Sequence, residues 1–65
     1  MERPKQFPHN RFVGDKRTQR VFDLDDPTVD ENAVRALLEA EAFATFGPDT
    51  LTEARNRGYR PARRR

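Results

Sequence analysis

The residues best suited to chemistry in this chain are its arginines, which crowd into the last eleven positions. Residues 55–65, RNRGYRPARRR, carry six arginines and no acidic residue. A guanidinium group that neutralises a phosphate releases condensed counterions, and this release drives the affinity of proteins for DNA and RNA. The stretch therefore predicts contact with a polyanion.

A second basic segment lies at the start of the chain. Residues 1–20 carry six lysines or arginines and two acids, whereas residues 21–54 carry one arginine and nine acids, and the whole chain has a net charge of +2. If the two basic segments meet in the fold, they form one face that contacts phosphates with little direct base readout. The predicted nucleic-acid-binding residues are Lys16, Arg17, Arg20, Arg55, Arg57, Arg60, Arg63, Arg64 and Arg65.

Two other interpretations of the charges stay open. The basic residues can simply offset the acidic middle and keep the chain in solution. The acidic middle can instead dock a basic protein partner, close onto the arginine tail, or allow self-association, so both a monomer and a homodimer are expected states. The acidic residues in question are Asp23, Asp25, Asp26, Asp30, Glu31, Glu39 and Glu41.

Catalysis and metal binding receive little support. The chain has no cysteine and no serine, and His9 lies in a stretch with no fixed carboxylate to orient it. A domain this small offers no deep cleft that would shift carboxylate pKa values. The acidic run DLDDP at 23–27 lacks the spacing of an EF-hand loop and is interpreted as a turn before a helix. A non-enzymatic protein with no metal and no cofactor is expected.

Length limits the fold to one small domain. A chain of 65 residues forms one domain at most and buries only about 60% of its unfolded surface. No apolar run is long enough to span a membrane, so a cytoplasmic protein is expected. The sequence predicts a flexible basic arm at 1–10, a single α+β domain at 11–61 and an arginine tail at 62–65.

The first half of the domain predicts a hairpin and a central amphipathic helix. RFVGDKRTQRVFDL has two apolar stretches around a polar loop, where Gly14 supplies a positive φ or a bulge. Thr28 and Glu31 have capping-box spacing and predict a helix from Val29 to Glu41 or Ala42, with an apolar stripe that packs on the hairpin.

The second half predicts a short third strand and a short C-terminal helix. FATF at 43–46 has apolar residues at Phe43 and Phe46 and is followed by Gly-Pro. Thr50 and Glu53 form a second capping box, and Gly58 closes the helix in the left-handed conformation. Tyr59 is expected to pack back on this helix, although stacking on a base is the alternative.

Two segments of the chain, FVGDKRTQRVF in the hairpin and GYRPARRR at the C-terminus, carry a resemblance to a known family. GYRPARRR is similar to the Gly-Tyr-Arg-Pro-Cys-x-x-Cys ending of the small zinc-binding module that opens the Ada DNA-repair methyltransferase and is appended to bacterial nucleases and surface proteins. The upstream match runs through Thr50, Glu53, Ala54, Gly58, Tyr59, Arg60 and Pro61. The hairpin that opens many members is matched by Phe12, Val13, Gly14, Lys16, Thr18, Val21 and Phe22.

The zinc ligands of that family are missing here. Ala62 and Arg65 stand where the family has its last two cysteines, and no cysteine follows the hairpin. Structural zinc needs four Cys or His ligands, and methyl acceptance needs a thiolate, so neither chemistry is available. The resemblance implies a cysteine-free descendant that kept the fold.

Overall fold

The protein is a small α+β domain with four short strands and two helices. The computed structural model describes Lys5 and residues 7–62. No helix in that part of the chain is long and apolar enough to cross a membrane. The predicted fold class is confirmed. The elements are β1 (Phe12–Asp15), β2 (Arg20–Asp23), α1 (Glu31–Glu39), β3 (Phe43–Ala44), α2 (Leu51–Asn56) and β4 (Arg60–Pro61).

The strands form one sheet in the order β3-β1-β2-β4. β1 and β2 form the predicted antiparallel hairpin, β3 pairs antiparallel to β1, and β4 pairs parallel to β2. Sequence analysis did not predict β4, because a two-residue strand is too short to show a hydrophobic period. The strand follows α2 directly and so returns the chain to the sheet.

Pro61 fits β4 because β4 is an edge strand. The N–H of Arg60 donates to the Gln19 carbonyl at 2.9 Å, and the N–H of Ala62 donates to the Val21 carbonyl at 2.9 Å. The nitrogen of Pro61 lies between these two donors and faces away from β2, so its missing N–H removes no bond from the ladder.

Two apolar clusters lie on opposite faces of the sheet. The α1 cluster holds Phe7, Val13, Phe22, Leu24, Val34 and Leu37. The α2 cluster holds Phe12, Val21, Phe46 and Ala54, with Leu51 and Tyr59 packed against it. Successive residues of a strand point to opposite faces, and all four residues of β1 are buried. The hairpin therefore contributes side chains to both clusters, as is usual for strands that are covered on both faces.

Helix α1 is shorter than predicted at both ends. Its N-cap is Asp30, whose side chain accepts from the N–H groups of Asn32 and Ala33. The predicted capping box from Thr28 is wrong, because Thr28 instead donates its N–H and its hydroxyl to Asp26. At the other end Glu41 adopts φ 54°, a left-handed conformation that ends the helix.

Helix α2 follows the prediction closely. Thr50 is the N-cap, and its hydroxyl accepts from the N–H of Glu53 at 3.1 Å. In a complete capping box the Glu53 side chain would also accept from the N–H of Thr50. This second bond is absent, since that N–H donates to the Pro48 carbonyl. Gly58 closes the helix with φ 89°, as predicted.

Two residues differ from their predicted roles. Phe7, assigned by sequence to a flexible arm, is only 2% exposed, and its ring meets that of Phe43 edge-on at 4.9 Å. Gly14 lies inside β1 and has no positive φ; the left-handed residue of the hairpin loop is Gln19, with φ 57°. Gly14 is instead required for close packing, because a Cβ there would lie 2.6 Å from Cε2 of Tyr59.

Candidate nucleic-acid interface

The pairing of β4 with β2 brings the two basic segments of the chain together. Arg20 at the start of β2 and Arg60 at the start of β4 are direct partners in the parallel register. Side chains of paired residues on neighbouring strands lie on the same face of the sheet. Two arginines that are forty positions apart in the sequence therefore occupy neighbouring positions on one face of the sheet.

The local sequence explains why the chain returns to this point. The left-handed Gly58 ends α2, and the N–H of Tyr59 then donates to the Ala54 carbonyl at 3.0 Å. The ring of Tyr59 packs edge-on against Phe46, with centroids 5.2 Å apart. These contacts aim the next residue, Arg60, at the carbonyl of Gln19 in the hairpin loop.

Two of the predicted cations are held in ion pairs with neighbouring acids. Arg17 donates to both carboxylate oxygens of Asp15, each at 3.1 Å, and Arg57 donates to Glu53 at 2.7 Å. The hydrogen bond from Arg17 holds the pKa of Asp15 below its usual value, although burial of the carboxyl opposes this, and the pKa of Arg17 is raised in turn. The charges of these two arginines are thus largely compensated.

Four of the predicted cations remain without an ion pair to any described residue, and all four are exposed. We call this set the basic edge; it consists of Lys16, Arg20, Arg55 and Arg60. The backbone of Lys16 is held next to Ala42, since its N–H donates to the Ala42 carbonyl at 2.8 Å. The remaining predicted residues, Arg63, Arg64 and Arg65, lie outside the described residues.

An open groove lies beside the basic edge. It has a volume of about 470 Å³ and is lined by Arg55, Gly58, Tyr59, Arg60 and Pro61. Tyr59 packs against the α2 cluster, which contains Ala54 of its own helix, as predicted, and the same residue also lines the groove. Sequence reasoning did not find this groove, because it depends on how β4 is placed against the end of α2.

Four of the acidic residues hold local structure. Arg11 makes a two-point ion pair with Asp23 at 2.9 and 3.0 Å, which holds the pKa of Asp23 below its usual value and raises that of Arg11. Asp49 accepts from the backbone N–H groups of Arg11 and Phe12. Sequence reasoning missed both arrangements, since neither pair is close in sequence. Asp26 and Asp30 form the turn and the cap before α1, as an acidic turn should.

A smaller apolar recess lies beside these acids. It has a volume of about 140 Å³, and its lining includes the apolar residues Phe12, Val29 and Leu51 together with Asp23, Asp26 and Asp30. Across Lys5 and residues 7–62, no three His, Asp or Glu side chains are grouped to hold a metal ion. His9 is exposed.

Comparison of the chain with protein-family models, with curated proteins and with solved structures finds no match.

Proposed function

We propose that this protein is a small non-enzymatic module that binds nucleic acid in the cytoplasm by neutralising phosphates along the basic edge. The observation that carries the proposal is the direct pairing of Arg20 with Arg60 on neighbouring strands. Like charges placed directly opposite each other destabilise a sheet. A polyanion that lies across the pair neutralises both charges and so removes this repulsion. The release of its condensed counterions adds to the binding free energy.

The same geometry argues against sequence-specific recognition. The four cations of the basic edge are exposed, and α2 is only six residues long, whereas duplex sequence is usually read by an α-helix or a two-stranded ribbon inserted into the major groove. Contacts to phosphates position a protein on nucleic acid but carry no sequence information. Binding is therefore expected to depend strongly on salt and weakly on sequence.

Fluorescence anisotropy with labelled oligonucleotides at several salt concentrations tests this proposal. The double variant Arg20→Ala, Arg60→Ala should lower the slope of log affinity against log salt by about 2, one for each lost phosphate contact. Arg35→Ala is the matched control, because Arg35 is exposed on α1 and its loss changes the net charge without touching the basic edge. Arg57→Ala should have a smaller effect than either edge arginine, since Arg57 is paired with Glu53.

Two results would contradict the proposal. One is a lack of binding even at low salt, and the other is an equal loss of affinity in Arg35→Ala and Arg20→Ala. A variant with Arg63, Arg64 and Arg65 changed to alanine should lower the slope further, in keeping with the prediction from sequence. If that variant alone abolished binding, the basic edge would not be the site.

We also propose that the chain is a relative of the Ada-type module that has lost its metal. The segments carrying the resemblance form the hairpin, the Thr50-capped helix and its Gly58 end. Ala62, at a cysteine position of that family, is packed against the α1 cluster, where an apolar side chain serves in place of a ligand. The thermal midpoint should not change when zinc is added; a rise would contradict the loss of the metal site.

The competing proposal is docking of a basic protein partner on the acidic side. The recess beside α1 favours it, because its apolar lining residues suit the stem of a lysine or arginine and the aspartates in its lining suit the charged end. Asp26→Asn removes one charge from the lining while keeping an oxygen that can accept from Thr28. Weaker binding of a labelled arginine-rich peptide by this variant, with nucleic-acid binding unchanged, would support the adaptor role.

A further inference from the structure

We infer that the basic edge selects single-stranded nucleic acid over duplex, with one base held in the groove beside Arg60. This inference rests on the proposed function and names the substrate class of the same site. It follows from what lies next to the phosphate-binding cations, namely an aromatic ring, a proline ring and a position without a side chain.

The groove is an open depression of about 470 Å³ whose lining suits the face of a flat ligand. The rings of Tyr59 and Pro61 provide apolar surface, while Arg55 and Arg60 bring positive charge to the same lining. A Cβ built on Gly58 would meet no atom within 4 Å, so nothing crowds the groove at that position.

Tyr59 is held in one orientation before any ligand arrives. Its ring meets Phe46 edge-on, with an interplanar angle of 78°, and it lies against the backbone of Gly14. Since the ring is already ordered, a base that stacks on it loses little of its binding free energy to ordering the side chain. Single-strand binding proteins combine such aromatic surfaces with a cationic path for the backbone.

A duplex cannot use these groups in the same way. Its bases are stacked on one another, whereas a single strand can turn a base outward onto an aromatic side chain. An extended peptide is a poor alternative occupant of this edge, because the outward-facing nitrogen of Pro61 has no hydrogen to donate to an added strand. The groove therefore suits a base whose flanking phosphates contact Arg60 and Arg20.

The test compares three labelled probes of equal length: single-stranded DNA, the corresponding duplex, and an abasic single strand with the sugar-phosphate backbone alone. Anisotropy titrations at low salt should give the tightest binding for the single strand. The abasic strand should bind at least about fivefold more weakly, which is the loss expected when one base no longer stacks on an aromatic ring.

Variants of Tyr59 separate stacking from folding. Tyr59→Leu keeps an apolar side chain against Phe46 but removes the flat ring, and should lower affinity for the normal single strand while leaving affinity for the abasic strand unchanged. Tyr59→Phe keeps the ring and should bind like the original protein. Equal loss on both strands in Tyr59→Leu would indicate disrupted folding. Pro61→Ala, which leaves Tyr59 in place but removes the proline ring from the groove, then provides the second comparison: it should lower affinity for the normal strand and not for the abasic strand. If Pro61→Ala binds both strands as the original protein does, the groove holds no base.

The outcomes distinguish the two levels of the proposal. No binding of any probe contradicts the proposed function itself. A second outcome is equal binding of single strand, duplex and abasic strand, reduced by Arg20→Ala but unaffected by Tyr59→Leu. This result would support phosphate neutralisation and overturn the single-strand preference.

Discussion

Gly14 lies directly against the ring of Tyr59. A Cβ built on Gly14 would be 2.6 Å from Cε2 and 2.8 Å from Cδ2 of that ring, and 3.0 Å from the tip of Phe46. Real Cβ atoms do not approach so closely, so the absence of a side chain in β1 is what allows Tyr59 to close the α2 cluster. The same contact positions the Tyr59 ring, which lines the groove beside the basic edge.

Gly14→Ala should therefore destabilise the protein by about 1–3 kcal/mol, the usual cost of forcing extra volume into a packed core. Gly47→Ala is the matched control, because a Cβ there would meet nothing within 4 Å. Urea unfolding of both variants measures the difference. Equal stability of the two would show that the ring moves aside without cost.

Phe7 should contribute to stability as a core residue. Its side chain is 2% exposed and contacts the α1 cluster and Phe43. Phe7→Ala is expected to cost about 3–5 kcal/mol, as for other buried phenylalanines. Pro8→Ala, at an exposed neighbouring position, should change the free energy of unfolding little. A Phe7→Ala variant with unchanged stability would support the flexible arm predicted from sequence.

Stability should fall in acid because of Asp15. The Arg17 hydrogen bond lowers the pKa of Asp15 in the folded state, so between the folded and unfolded pKa values the folded protein binds fewer protons. The stabilisation is fully present above the unfolded pKa of about 3.9 and is lost as pH falls through the lower folded value. Asp23, whose pKa is lowered by Arg11, adds in the same direction.

Asp15→Asn tests this dependence. The variant should be less stable at neutral pH by about 1–3 kcal/mol, the cost of weakening hydrogen bonds to a buried charged group. Its free energy of unfolding should also change less between pH 5 and pH 2.5 than that of the original protein. An identical acid dependence would show that Asp15 carries none of it.

Glu41 holds a left-handed conformation that costs a residue with a side chain about 1–2 kcal/mol. Glu41→Gly should relieve this strain at the end of α1 and raise stability by about 0.5–1 kcal/mol, a gain smaller than the strain itself because glycine loses more chain entropy on folding. Glu39→Gly, at the last residue of the helix and without a positive φ, should lower stability instead. Thermal unfolding distinguishes the two, and a loss of stability in both would contradict the argument.

The sequence predicted the elements whose signals are local. Thr50 and Gly58 mark the ends of α2 through side-chain capping and backbone freedom, and both act as expected. The predicted contact between α1 and the hairpin is also present, with Val34 and Leu37 buried against Val13. Thr28 does not act as the cap because its own N–H and hydroxyl are bonded to Asp26, while Asp30, two residues later, caps the helix by accepting from Asn32 and Ala33.

The features that depend on tertiary packing were not predictable in this way. Nothing near Phe7 in the sequence indicates that its partner is Phe43, and nothing near Arg60 indicates β2. For the candidate site, residue types sufficed to select the cations, whereas the structure was needed to separate Arg17 and Arg57, which are ion-paired, from Arg20 and Arg60, which are not.

The shared sheet between the two apolar clusters has a consequence for unfolding. Val13 belongs to one cluster, and its neighbour Phe12 to the other, so displacing either helix exposes a face of the same hairpin. Neither half of this small interior can persist alone, and the domain should unfold in one cooperative step. The backbone amides of β1 and β2 should then exchange with deuterium only through complete unfolding, at a rate that reports the global stability.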